Sequence, residues 1–218
     1  VGSEMCIRDS PWLLVPNTNR SVPGATRLQA PGAGMVGQYL ATDAARGVFK
    51  TPAGYANRMA LAVATEVQFS NSDLDALNSS QQPINVIRQV PGNGIVVMGG
   101  RTLHNTTADR YINVRRSLVY LKKELTDRSS FAVFENNDER LWSKLRITLS
   151  AFLSSYWQSG GLRGGSSQQA FYVKCDSTTT TAADILAGRV NVEIGVAIEY
   201  PSEFVVIKLG QLTGDATA

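Results

Sequence analysis

The sequence predicts an α+β fold, a layered mixed sheet packed with helices. Three observations predict it: helical periodicity in two stretches between residues 114 and 157, strict two-residue alternation between 190 and 200, and no βαβα rhythm joining them. The 218 residues are 43% hydrophobic and 18% charged, which supplies apolar material for one core or two small ones and excludes a disordered chain.

Taken in chain order, residues 1–10 (VGSEMCIRDS) scatter acidic and basic side chains through a stretch with no apolar core, so they are not a signal peptide. They read as a translated sequencing adaptor, foreign to the protein. From Pro11 to Pro31 come four prolines among turn residues, with little periodicity. This segment is expected to be a linker over 11–30. Met35 to Ala45 predicts a short helix closed by Gly47, because glycine tolerates the left-handed backbone that ends helices. Asn85–Val90 and Ile95–Met98 are β-branched runs around Pro91-Gly92-Asn93-Gly94, and they predict a hairpin.

The first strong helix places Val114, Leu118, Leu121 and Leu125 on one face and Arg115, Arg116, Lys122 and Lys123 on the other. The second opens on Asn136-x-x-Glu139, the spacing of a capping box. It then carries Leu141, Trp142, Leu145, Leu149, Phe152, Leu153, Tyr156 and Trp157 as an apolar stripe ended by Gly160-Gly161. Phe171–Cys175 predicts a short strand, and Val190, Val192, Ile194, Val196, Ile198 and Tyr200 alternate with smaller or polar residues as one half-buried strand. Pro201-Ser202 breaks it, Phe204–Ile207 is a fully apolar run, and the chain becomes small and polar after Leu212.

Function classes narrow quickly. The longest unbroken apolar run, Met59–Ala64, is far short of the roughly 20 residues a membrane helix requires. Twenty-one Lys and Arg against 18 Asp and Glu leave a net charge of +3 without a block of like charge, so composition gives nucleic-acid binding no support. Two cysteines, Cys6 and Cys175, and one histidine, His104, are too few for a disulfide framework or a multi-imidazole metal site. No cofactor or metal is expected.

Five motifs compete with plain structural readings. Gly32-Ala-Gly34-Met-Val-Gly37 matches a dinucleotide fingerprint by letter, yet Pro31 precedes it and no acidic residue follows at the needed distance, so it reads as a loop-to-helix turn. His104 lies in a polar segment without a nucleophile elbow, and the Glu135, Asp138 and Glu139 cluster fits a helix start better than a pair of catalytic carboxylates. A hydrolase or transferase using His104 with Glu135 or Asp138 is nevertheless the competing functional reading. The basic face of Arg115, Arg116, Lys122 and Lys123 is either a solvated helix side or a surface for an acidic partner, four charges being too few for strong phosphate-backbone affinity. Sequons at Asn19, Asn78 and Asn105 matter only in a secretory pathway, for which nothing else speaks.

Ordered blocks are spread over residues 30–207. They are Ala30-Pro-Gly-Ala-Gly-Met-Val-Gly-Gln-Tyr with Gly47-Val-Phe-Lys-Thr-Pro-Ala, Ile84-Asn-Val-Ile-Arg with Pro91-Gly-Asn-Gly, Gly99-Gly-Arg-Thr-Leu, and Tyr111-Ile-Asn-Val-Arg-Arg. Phe134-Glu-Asn-Asn-Asp with Leu141-Trp, Trp157-Gln-Ser-Gly-Gly-Leu-Arg-Gly, Gln169-Ala-Phe-Tyr-Val-Lys-Cys-Asp, and Ile194-Gly-Val-Ala with Pro201-Ser-Glu-Phe complete the set. Together these blocks resemble one family, the sheath subunits of contractile phage tails and related injection systems, from whose usual tryptophan, aromatic and proline Phe49, Met98 and Asn136 or Asn137 depart.

The resemblance covers the family's C-terminal region. It implies a domain of that type over 31–212, a linker from absent N-terminal domains over 11–30, extended terminal arms and a flexible 213–218 tail. It implies a structural role and no catalysis: hexameric rings stacked around an inner tube protein, strand exchange between neighbours, a baseplate and tail terminator as partners, and no nucleic-acid or membrane binding. The location implied is the virion tail sheath, assembled in the host cytoplasm. Candidate interface residues are the basic set Arg115, Arg116, Lys122 and Lys123. To these the strand Glu203, Phe204, Val205, Val206, Ile207, Lys208 and Leu209 adds a stretch suited to pairing with a neighbour's sheet.

Overall fold

The computed structural model describes residues 6–17, 24–104 and 109–203. Among these residues helices and three small sheets mix, as an α+β class requires. In order come β1 (Asp9–Ser10), β2 (Leu13–Pro16), β3 (Thr26–Gln29), α1 (Gly32–Arg46), β4 (Ala64–Thr65), α2 (Asn71–Ser79), β5 (Asn85–Val90) and β6 (Gly94–Met98). There follow α3 (Ile112–Ser129), a 3-10 turn (Ser130–Ala132), α4 (Glu139–Gln158), α5 (Ser167–Ala170), β7 (Phe171–Lys174), α6 (Ala182–Leu186) and β8 (Glu193–Val196). Among the described residues no helix is long and apolar enough to cross a membrane.

The expected hairpin forms, with Ile87 opposite Val97 and Gln89 opposite Ile95. Parallel pairing of β1 onto β5 makes the sheet mixed. Gly99 follows because nothing larger fits: a Cβ there would stand 2.7 Å from the Asn85 Cα. The glycines of the fingerprint-like motif lie in the first turns of α1, as the loop-to-helix reading requires. Gly47 closes α1 at φ 92°, where a side chain would also meet the Phe49 ring at 2.5 Å.

Residues 11–17 and 24–30, expected as part of a linker, instead carry paired strands. Leu13–Pro16 pairs antiparallel with Thr26–Gln29 and, on its other edge, with Ala64–Thr65, while Leu13 is buried in one core with Met35, Met59, Ile87, Ile95 and Val97. Pro16 misleads because it closes β2, where a missing N–H costs nothing, and Pro31 because it stands at the N-cap of α1. The body therefore begins before residue 31. Within the segment read as foreign, residues 6–10 also pack: the Leu103 N–H donates to the Cys6 carbonyl and the Asn85 N–H to that of Arg8.

A second core lies between α3, α4 and the β7–β8 pair. Val114, Leu121, Leu153, Tyr156 and Leu162 are buried there, and Phe49, Tyr120 and Phe152 pack around Tyr156 with ring centroids 5.8 to 6.3 Å away. The α4 stripe is as expected, but its cap is not the Asn136 box. Asp138 is the N-cap, its carboxylate accepting from the N–H groups of Arg140 and Leu141 at 3.0 and 2.9 Å. Asn137 is occupied instead, accepting from the Trp142 indole and donating to the Arg189 carbonyl. The alternating stretch 190–200 is one strand only over Glu193–Val196, because its partner β7 has only four residues. Beyond it the chain is stitched to other segments: the Ala197 N–H donates to the Ala170 carbonyl, and Ile198 bridges Leu162.

Candidate subunit interface and the root of the C-terminal segment

The basic face of α3 is not a free patch. Arg116 reaches α1 and grips Asp43 through two bonds of 2.9 and 2.5 Å, its guanidinium 4.9 Å above the Tyr39 ring. The two charged side chains are only 15% and 22% exposed. Arg115 bonds Asp109 at 2.9 Å. Lys122 and Lys123 face solvent, Lys123 pairing with Asp127 one turn on. Helical periodicity sorts the four together, but only the two lysines are presented outward, because Arg116 is engaged by Asp43 of α1 and Arg115 by Asp109.

Phe204, Val205, Val206, Ile207, Lys208 and Leu209, like the 213–218 tail, lie outside the described residues. Glu203, at their root, is held tightly. The chain at 100–102 runs beside 110–112: the Thr102 N–H donates to the Arg110 carbonyl and the Ile112 N–H to that of Gly100. Arg101 and Tyr111 are therefore direct cross-strand neighbours, whose side chains lie on one side. Both grip Glu203. Arg101 donates from Nε at 2.9 and 3.2 Å and from Nη2 at 2.5 Å, and the Tyr111 hydroxyl donates at 3.3 Å. The carboxylate pushes the guanidinium pKa up, further securing a charge that was already permanent.

The rest of this root is pinned too. Tyr200 packs edge-on against Tyr111, ring centroids 6.1 Å apart. Buried Asn113 donates its amide hydrogens to the carbonyls of Phe49 and Glu199 at 3.0 and 3.1 Å. Asn85, wholly buried, holds Arg101 from behind, its Oδ1 accepting the Arg101 N–H at 2.8 Å and its Nδ2 donating to the Arg101 carbonyl at 3.0 Å. Sequence reading missed Arg101, Tyr111 and Asn113 as functional candidates. Their signal was present only as two of the quoted blocks.

Open edges and exposed apolar side chains add to this surface. Among the described residues β3 pairs only with β2, and β7 and β8 only with each other. Phe134, at φ 66° in a region bulky side chains avoid, stands fully exposed beside Val133, and Leu61 and Leu186 are 80% and 90% exposed. The catalytic alternative finds no assembly of groups. Asp138 is committed to capping α4, Glu135 is exposed on the preceding turn, and the His104 main-chain N–H donates to Thr102 Oγ1. Cys6 and Cys175 are free, and burial pushes the Cys175 thiol up, away from reactivity.

Residues 105–209 match the phage tail sheath C-terminal domain. A tail sheath protein of Vibrio phage KVP40 is 30% identical over 152 residues, 66% of this chain and 21% of that protein. Among solved structures, the anti-feeding prophage helical sheath in its contracted state superposes with a TM-score of 0.84 at 30% identity, covering 96% of this chain and 57% of that one. The sheath complex of an extracellular contractile injection system, PVC, also contracted, gives 0.82 at 30% identity, covering 95% and 56%. The chain thus spans about a fifth of the curated relative and just over half of the solved sheath chains.

Proposed function

Because this chain belongs to the phage tail sheath family through its C-terminal domain, we propose that it is a structural subunit of a contractile sheath, polymerising around an inner tube and shortening to drive that tube through a cell envelope. The observation that carries this reading is superposition on a contracted sheath across nearly the whole chain at 30% identity. Those relatives are structural proteins, so the hydrolase or transferase reading with His104 gives way.

The finer parts are equally our own reading. Subunits form stacked hexamers, exchange strands with their neighbours, and meet a tube protein, a baseplate and a tail terminator. They assemble in the host cytoplasm into the tail of a phage or injection particle. Small sheets with open edges support strand addition, and exposed Phe134, Leu61 and Leu186 suit burial on assembly. Contraction then needs no fuel at firing: assembly holds subunits in a higher-energy packing, and the trigger releases a rigid-body rearrangement.

Negative-stain microscopy of the complete reading frame at high concentration tests the reading. Striated hollow tubes are expected, and uniform small particles under all conditions refute it. Lys122→Glu with Lys123→Glu tests the tube contact separately, since both side chains are exposed and the change costs the fold little. Impaired assembly on tubes supports a basic contact face, and normal assembly makes it a solvated one.

A further inference from the structure

Residues 198–203 have almost no regular structure of their own, yet every second residue or so is fastened to a different part of the domain. Ile198 bridges Leu162, the Glu199 carbonyl accepts from Asn113, Tyr200 packs on Tyr111, and Glu203 is forked by Arg101. The fastening side chains are themselves held. Asn113 is 2% exposed, Arg101 also donates to the Asn78 carbonyl at the end of α2, and Asn85 fixes the Arg101 backbone from both sides. A forked guanidinium–carboxylate pair at 14% and 20% exposure sets direction as well as distance.

We propose that Arg101, Tyr111 and Asn113 are positioning residues that hold 199–203 as a rigid root, so that the segment beginning at Phe204 leaves the domain at one fixed place and heading for pairing with a second copy of the chain. This rests on the strand-exchange reading and adds to it the residues that aim the strand. A segment anchored at its base searches a small volume, which raises its effective concentration at the neighbour and lowers the ordering cost of pairing. Without the fork the segment would hinge near Pro201, and pairing would have to order the root as well.

The test uses the complete reading frame in four forms: unaltered, ended after Glu203, Arg101→Met and Arg101→Lys. Sedimentation gives the concentration at which polymer appears, and hydrogen exchange reports the Ala197 and Arg163 amides, which bond the Ala170 and Ala197 carbonyls beside the root. Ending the chain at Glu203 should abolish polymer. Arg101→Met should raise the polymerisation threshold about 10-fold and speed those two amides roughly 10- to 100-fold, with the β7–β8 ladder unchanged. Arg101→Lys, which keeps the charge and loses the fork, should fall between.

If Arg101→Met polymerises like the unaltered protein while the shortened chain does not, the positioning role is overturned and strand exchange stands. If the shortened chain polymerises normally, strand exchange falls and this role with it. Exchange that rises evenly across the domain makes Arg101 merely structural and also overturns the proposal. Should Arg101→Met not fold, Glu203→Gln preserves the volume and weakens the same fork, and the same outcomes decide.

Discussion

Arg116 decides whether charge reversal on α3 reports on an interface or on the fold. Its bidentate bond to Asp43 ties α3 to α1 with the two side chains 15% and 22% exposed, between the regimes of surface and buried pairs. Exposed pairs are worth about 0.2–1 kcal/mol, whereas breaking a fully buried one costs about 3–5 kcal/mol. Stacking on Tyr39 adds about 0.5–1 kcal/mol that Arg116→Met also removes. The intermediate position predicts about 2 kcal/mol for Arg116→Met. With an m-value of about 2 kcal/mol/M, that moves the urea midpoint down by about 1 M. Asp43→Leu and the double variant close a thermodynamic cycle, with an expected coupling of about 1–2 kcal/mol. A loss below about 0.5 kcal/mol for Arg116→Met, or a coupling indistinguishable from zero, refutes the assignment of this side chain to the fold and returns it to the surface.

Three other outcomes are expected. Leu153→Ala, emptying a fully buried site between α3 and α4, should cost about 3–4 kcal/mol in urea unfolding. Asp138→Ala should cost about 1 kcal/mol and Asn136→Ala only a few tenths, because Asp138 caps α4; equal losses would restore the box at Asn136. The Ser70 and Thr181 hydroxyls, then their N–H groups, hold the Asp73 and Asp184 carboxyls below the usual range. Their support is therefore complete above the ordinary carboxylate pKa of about 3.9 and is lost as pH falls through the lower folded values, so α2 and α6 should fray below about pH 4 in amide-resolved NMR, and Asp73→Ala should remove that dependence for α2.

What was legible in the sequence was whatever repeats. The α3 and α4 stripes, the 85–98 hairpin and the Gly47 stop rest on periods and turn residues that act within a few positions. The pairing of 13–16 with 26–29 was not legible, because proline at a strand end looks the same in sequence as proline in a connector, and only pairing with 64–65 tells them apart. The same limit applies to the candidate interface. Asp43 lies 73 positions from Arg116, and Glu203 lies 102 from Arg101, so no local pattern reveals that either charge is already spoken for. Even the cleanest alternation, 190–200, overran, since a strand ends where its partner ends.

The fork on Glu203 also bears on how a polymer of such subunits would respond to stretching. Were residue 203 joined only through its own main chain, a pull on the segment beyond it would open Ile198, then Ala197, then the β7–β8 ladder, one bond after another, as a zipper opens. Arg101 diverts that pull into the end of α2 and, through Asn85, into the β5–β6 hairpin, where several bonds must fail together. Loads shared in parallel rupture at higher force than loads taken in series. Each subunit would then behave as a stiff chain link, with the start of α3 tied into the same anchorage through Tyr111 and Asn113.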